Sequence, residues 1–182
     1  TINISSVSNL NVGGLNISDL TGIEDFSSLQ YLDCSNNNLT NLDISNNTLL
    51  SNLQCEANIL NTLSFDVALT SLDCFNNQLT SLDLSNNINL TFLNCSYNNL
   101  AWLDLRNGNN QLLINPNFTG NPYLSCIAVD DPPTSNPDWP WDDPWSVYST
   151  TCDPINSWNC VGNDCLGDST GQGMYTVLDN CQ

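Results

Sequence analysis

Apolar residues recur along this chain at a fixed set of intervals, and the set repeats. Leucine stands at Leu29, Leu50, Leu69 and Leu90, and again three residues later at Leu32, Leu53, Leu72 and Leu93. Two residues beyond each of the second group comes a cysteine: Cys34, Cys55, Cys74 and Cys95. Three residues after each cysteine comes an asparagine: Asn37, Asn58, Asn77 and Asn98. The alternation L-x-C has the period of a strand, so leucine and cysteine are predicted to point inward while the residues between them face out. Half a repeat later the template returns through Leu39, Leu42 and Ile44, then Leu60, Leu63 and Phe65, then Leu79, Leu82 and Leu84, then Leu100, Leu103 and Leu105. Each coil is therefore predicted to have two strand-like sides. Leu10 and Val12 begin an earlier coil, Leu113 and Phe118 with Asn121 make a later one, and Leu124, Ile127 and Val129 supply a last half. The count is about six coils of ~21 residues over positions 7–129. Pro116 replaces the leucine expected in the last full coil, which predicts a frayed strand there.

Coils this short leave a thin interior, in which a thiol serves as a compact hydrophobe. Thiols pointing into one core from parallel strands lie side by side, so the ladder cysteines are expected to stay reduced. Each ladder asparagine sits where the strand turns away. Its amide both donates and accepts, and is predicted to satisfy backbone groups of adjacent coils that would otherwise be buried unpaired.

Charge narrows the partners. The chain of 182 residues carries a formal charge of −18, with 19 acids, one basic residue (Arg106) and no histidine. Nucleic acids and anionic membranes are poor partners, because such binding draws on Lys and Arg. The usual general bases, amine nucleophiles and most transition-metal ligands are missing as well. No run of about 20 apolar residues predicts membrane insertion, and no basic-then-apolar segment opens the chain, which reads as mature or trimmed. Cys126, Cys152, Cys160, Cys165 and Cys181 crowd the last third and point to an oxidising compartment.

A solenoid exposes core at its last coil unless something covers it. Residues 130–152, "DDPPTSNPDWPWDDPWSVYSTTC", have the composition of such a cap: prolines forbid another strand, and Trp139, Trp141 and Trp145 are available to lie on the open end. A Cys126–Cys152 disulfide would staple it. A tryptophan-lined sugar site, or calcium held by Asp130, Asp131, Asp138, Asp142 and Asp143, is the alternative for this segment, although the oxygens lack the spacing of a calcium loop. Residues 153–182 are glycine-rich, without repeat, and read as a small Cys-rich module.

With its template L-x-x-L-x-C-x-x-N-x-L, the chain resembles the leucine-rich-repeat family, and more narrowly the secreted and cell-surface repeats of marine Bacteroidota (Flavobacteriia). "YLDCSNNNLT" and "LTSLDLSNN" resemble their coils, "ISDLTGIEDFSSLQYLDC" their N-terminal entry, and "NPYLSCIAVDD…W…YSTTC" their C-terminal closure. The resemblance implies a β-rich solenoid: a right-handed leucine-rich-repeat coil over 1–129, the disulfide-closed cap over 130–152 and the tail module over 153–182. It also implies export and a surface address. The tail resembles a module that carries a fourth cysteine just beyond "CQ", and "DST" at Asp168–Thr170 resembles an O-glycosylation acceptor of that phylum.

Asp33 and Asp73 occupy equivalent outward positions two coils apart, roughly 10 Å from one another at strand spacing, near the upper limit for an inverting glycosidase pair. Nothing in the sequence suggests a cleft around them, and aspartates in this register more often bond to turn backbone. The chain is therefore read as no enzyme. Seven N-x-S/T triplets, among them those at Asn38 and Asn94, are read as accidents of a chain rich in Asn, Ser and Thr. Thr40, Thr62 and Thr80 form no continuous row, which argues against ice binding. The outward positions of the cysteine strands are the candidate ligand face. There Tyr31, Phe75, Phe92 and Tyr97 are exposed aromatics in a polar acidic field, and of these Tyr31, Phe75 and Phe92, with the polar groups of Asp33, Asp73 and Asn94, are expected to hold a protein or glycan at the cell surface. The rival reading is a structural subunit of an extracellular filament or surface layer that self-associates through coil ends or the tail.

Overall fold

The computed structural model describes residues 3–131, 139, 143, 144 and 146–152, and the backbone of 157–161 and 164–168. Its strands are β1 (Asn9–Asn11), β2 (Tyr31–Asp33), β3 (Asn41–Asp43), β4 (Asn52–Gln54), β5 (Thr62–Ser64), β6 (Ser71–Asp73), β7 (Ser81–Asp83), β8 (Phe92–Asn94), β9 (Trp102–Asp104), β10 (Cys126–Ala128), β11 (Val147–Ser149), β12 (Ser157–Val161) and β13 (Asp164–Asp168). The first eleven wind as a parallel-strand β-solenoid of about six turns with the ~21-residue period, and the only helical pieces among the described residues are three-residue 3-10 turns.

One sheet runs β1-β2-β4-β6-β8, with Leu10, Leu32, Leu53, Leu72 and Leu93 in line across it. An isolated bridge between Asn94 and Asn117 extends it by one coil. Pro116 immediately precedes that bridge and removes a backbone donor, so the frayed strand expected there is reduced to a single pairing. On the other side of each coil the pairing is interrupted: β3 pairs β5, while β7, β9, β10 and β11 form a separate sheet. The cause is a short return. From Thr62 to Ser71 the chain takes nine residues, where Asn41 to Asn52 and Ser81 to Phe92 each take eleven. This is the origin of the 19-residue interval between Cys55 and Cys74.

The leucines and cysteines of the template are buried, with Leu32, Cys34, Leu53, Cys55, Leu72, Cys74 and Cys95 fully so. Val12 and Phe118 occupy the cysteine register in the coils at either end, and Phe118 is also fully buried. The three asparagines of "CSNNN" have three separate roles. Asn36 takes a left-handed backbone (φ 54°), which asparagine tolerates better than most residues. Asn37 is buried and turns its amide on the backbone, and Asn38 is exposed while its N–H bonds Ile17 O at 2.7 Å.

The ladder geometry repeats from coil to coil. Asn77 Nδ2 donates to Cys74 O of its own coil (3.1 Å) and to Cys55 O of the preceding one (3.0 Å), and its Oδ1 accepts the N–H of Leu60 (2.9 Å). Asn58 does the same with Cys55 O, Cys34 O and Leu39 N, and Asn98 with Cys95 O, Cys74 O and Leu79 N. Asn37 starts the series and Asn121 ends it. A second, broken asparagine series on the other side of the coils involves Asn47, Asn87 and Asn107. The short return replaces its middle member with Val67, which is buried without any polar group to offer.

Cys126 and Cys152 form a disulfide with Cα atoms 5.8 Å apart. Between them Trp139 is buried, packed edge-on against Phe118 (5.7 Å between centroids) and Tyr148 (5.9 Å), so that it closes the end of the core. Asp143 accepts the N–H groups of Gly120 (3.2 Å) and Asn121 (2.9 Å), and Asp130 accepts that of Gly108 (3.0 Å). Arg106 pairs with buried Asp104 and reaches Thr150 O (3.2 Å). Trp141, Trp145, Asp138 and Asp142 lie outside the described residues. β12 and β13 pair antiparallel, with Cys160 opposite Cys165; the partners of Cys160, Cys165 and Cys181 also lie outside what is described.

Replacing Asn77 with Ala should cost about 1 to 3 kcal/mol, because it orphans buried backbone groups in two coils at once. The exposed Asn41→Ala should change stability by less than ~0.5 kcal/mol. Urea midpoints of the two variants against the parent give the comparison, and equal effects would contradict the ladder.

Candidate recognition face

The outward side chains of the first sheet stand in rows, because the register is exact from strand to strand. One row holds Asn9, Tyr31, Asn52, Ser71 and Phe92, and the next holds Asn11, Asp33, Gln54, Asp73, Asn94 and Asn117. The second row is bonded at two of its steps, Asn11 to Asp33 and Asp73 to Asn94, and to the turns that follow it. Asp33 accepts Asn11 Nδ2 (2.8 Å), Ser35 N (3.0 Å) and Ser35 Oγ (2.7 Å). Asp73 accepts Phe75 N (3.1 Å) and Asn94 Nδ2 (3.4 Å), while Asn94 Oδ1 accepts Ser96 Oγ (2.7 Å). Tyr31 donates its hydroxyl to Gln54 Oε1 (2.7 Å). Asp43, Asp83 and Asp104 make the same turn contact on the other side of the coils. These carboxylates fix backbone turns through local acceptor geometry, as aspartate commonly does. Ser35 and Ser96, outward by alternation, are buried beneath these turns.

The three aromatic residues expected to act together are not in one place. Tyr31 and Phe92 share a row but are three strands apart, about 14 Å at strand spacing. Phe75 lies four residues along the chain from Ser71, Phe92's neighbour in the row, which is roughly another 13 Å away. Phe75 instead meets Tyr97 edge-on, with ring centroids 5.6 Å apart.

Tyr97 occupies the left-handed position (φ 54°) that Asn36 and Asn76 fill in other coils, and it is 60% exposed. A bulky residue at positive φ is strained by on the order of 1–3 kcal/mol. The next coil makes room for its ring with Gly120, where a Cβ would come within 3.1 Å of Tyr97 Cγ and Cδ1. Chain economy would place asparagine here; the tyrosine is explained by its exposed ring. The pattern places Tyr97 among the exposed aromatics, but its strained backbone is signalled only by the departure of "CSYNN" from "CSNNN" and "CFNNQ", which hydrophobic patterning does not register.

Electrostatics on this face is one-signed. Burial, then the carboxylates of Asp73 and Asp33, raise Glu56 above the ordinary carboxylate range against the opposing hydrogen bonds. Burial likewise raises Asp73 despite the N–H of Phe75 and the amide of Asn94. Tyr31 is raised by burial and by the charges of Asp33 and Glu56. The ladder thiols lie behind the sheet: burial, helped by Asp33 and Glu56, pushes Cys34 up to about 12, and Cys55, Cys74 and Cys95 are pushed up by burial as well. They are free and buried, and so are inert as thiolate nucleophiles or metal ligands. Among the described residues no group of three or more His, Cys, Asp or Glu side chains is placed to hold a metal ion, and no helix is long and apolar enough to cross a membrane.

Among proteins of known structure, the chain is similar to one described as the functional domain of InlJ from Listeria monocytogenes, which "includes a cysteine ladder". The two are 33% identical with a TM-score of 0.57, over 69% of this chain and 30% of that one. The match thus spans under a third of the other protein's length. No family model and no curated protein matches the chain. Likeness and architecture together support a leucine-rich-repeat-like family.

Two outcomes follow from this geometry. Ala57 shares the left-handed turn position (φ 54°), its N–H bonded to Phe75 O (2.8 Å) as in the other coils, and alanine tolerates that backbone less well than asparagine, so Ala57→Asn should stabilise the fold by about 1 kcal/mol, read as a rise in urea midpoint. The second concerns acid. Asp73 and Glu56 bind protons more readily folded than unfolded, so stability should rise as pH falls from 7 through their raised values. Asp104 behaves oppositely. Burial raises it, but the hydrogen bonds and charge of Arg106 outweigh that and hold it low, so its contribution is present above the ordinary carboxylate value and lost as pH falls below it. Melting temperature should therefore be higher near pH 5 than at pH 7 and fall again by pH 3; a steady decline from 7 to 3 would contradict the assignment.

Proposed function

We propose that this chain is a non-catalytic recognition module, secreted or at the cell surface, that binds a protein or glycan through the first-sheet face at Phe75 and Tyr97. The observation that carries the reading is Tyr97, an exposed ring kept at a strained backbone position, braced by Phe75 and accommodated by Gly120. Strain maintained at an exposed side chain is a mark of functional surface. Aromatic anchors ringed by polar groups are the usual energetic centre of such a face.

The surrounding charge selects the partner. Asp73 and Glu56 flank the aromatic pair, and a chain with −18 net charge repels anionic ligands, so the partner is neutral or cationic on its contacting surface. Asp73 and Asn94 are tied to the turn and to one another, which presents them as rigid acceptors. The aspartates that a carboxylate-driven hydrolase would need are instead occupied by backbone donors, which supports the non-catalytic reading. No cofactor enters it. Extracellular placement draws on the disulfide, on the resemblance to exported Bacteroidota repeats and on the likeness to InlJ.

Glycan-array and surface-protein pull-down experiments with the parent chain identify the partner. Phe75→Ala with Tyr97→Ala should then reduce binding at least tenfold while leaving the melting temperature within a few degrees, and Phe92→Ala, two rows away, should have little effect. A parent chain that polymerises at native conditions, with adhesion lost only when 153–182 is removed, would favour the filament reading.

A further inference from the structure

The short return between β5 and β6 has opened a second site on the opposite side of the coils. β5 pairs only with β3 and β7 only with β9, so the facing edges of β5 and β7 carry no pairing to each other. Between them lies a cleft of about 360 Å³, within the usual range for small-molecule sites. Its apolar part is made by Leu63, Phe65, Leu82 and Trp102, and its polar part includes Ser64, Ser81 and Asp83.

Three features mark it as more than a packing fault. Leu63 and Phe65 are half-buried, although their register partners Leu42, Ile44, Leu82, Leu84, Leu103 and Leu105 are buried, so apolar surface faces the opening. Trp102 lines the cleft half-buried, and since its indole Nε1 is itself fully buried, what it offers a ligand is ring surface. Asp83 spends one oxygen, Oδ1, on the turn N–H of Ser85 (2.9 Å), and its side chain is exposed at the rim. Aromatic surface, a carboxylate acceptor and serine hydroxyls are together the chemistry that recognises a ring with apolar C–H faces and equatorial hydroxyls. The strongly acidic chain excludes an anionic ring.

We infer that the β5/β7 cleft is a binding site for a neutral pyranose unit, separate from the first-sheet face. Apolar C–H surface of the sugar packs on the Trp102 and Phe65 side, and its hydroxyls donate to Asp83 and exchange hydrogen bonds with Ser64 and Ser81. The site exists because one coil is two residues short.

The test is saturation-transfer NMR on the full chain with the methyl glycosides of glucose, galactose, mannose and N-acetylglucosamine. Saturable transfer to at least one glycoside is expected, weakened tenfold or more by Asp83→Asn and by Ser81→Tyr, which fills the mouth. Both residues are exposed, so neither change depends on rebuilding the core. Trp102→Ala removes ring surface from the cleft and should weaken binding similarly. The Phe75→Ala, Tyr97→Ala variant should leave the signal unchanged, which separates this site from the first-sheet face. No saturable signal from any of the four glycosides, an undiminished signal in Ser81→Tyr, or a signal abolished by the Phe75 and Tyr97 changes would each overturn the assignment.

Discussion

A primary amide that accepts one backbone N–H and donates to carbonyls of two coils is the interaction on which this molecule depends. Three-residue strands alone pair too little backbone to hold a coil, and each turn away from the strand would leave carbonyls of the cysteine residues buried and unpaired. Asn58, Asn77 and Asn98 remove that cost by linking coil to coil at one fixed point in the repeat. With that point set, the pitch is set, and the interior is then so thin that cysteine fits beside leucine where a larger residue would crowd. Phe118 is the instructive exception. It occupies the cysteine register only in the last coil, where Trp139 rather than another coil lies against it.

Much of this was legible in the sequence because period-two burial and a fixed asparagine leave a trace at every repeat. The inward residues, the ladder register, the coil count and the Cys126–Cys152 closure all follow from spacing and composition. The second asparagine series, at Asn47, Asn87 and Asn107, was harder to see because the short coil interrupts it at Val67 and no constant interval survives. The recognition surface was least legible. The repeat pattern states that Tyr31, Phe75, Phe92 and Tyr97 are exposed, but not that Tyr31, Phe75 and Phe92 fall in distant rows, and it carries no information on backbone handedness. That Tyr97 sits where asparagine is the easy residue depends on φ, and that Gly120 is its counterpart depends on which residue the next coil places above it.

Both candidate sites arise where a coil departs from the repeat. At Tyr97 a residue ill-suited to its backbone replaces a well-suited one, and at Val67 two residues of the return are lost. A repeat protein has a neutral background against which such departures stand out, since every regular coil reports what packing alone requires. The short coil also divides the solenoid's coupling. On one side of it the asparagine ladder and the five-stranded sheet continue without a gap, while on the other the strand pairing stops and starts again. The ladder therefore carries the continuity of the molecule across the break.

Arg106 has a consequence outside packing. It is the only basic residue in 182, so a trypsin-like protease, which cuts after Lys or Arg, has a single bond to attack in the whole chain. That bond follows a side chain held by Asp104 and by Thr150 O of the segment that the disulfide ties down. Cleavage requires several residues of free extended backbone, which this coil provides only by local opening. In surroundings rich in such proteases, the cap would act as a guard on the one vulnerable position, and the scarcity of positive charge would amount to protection from digestion.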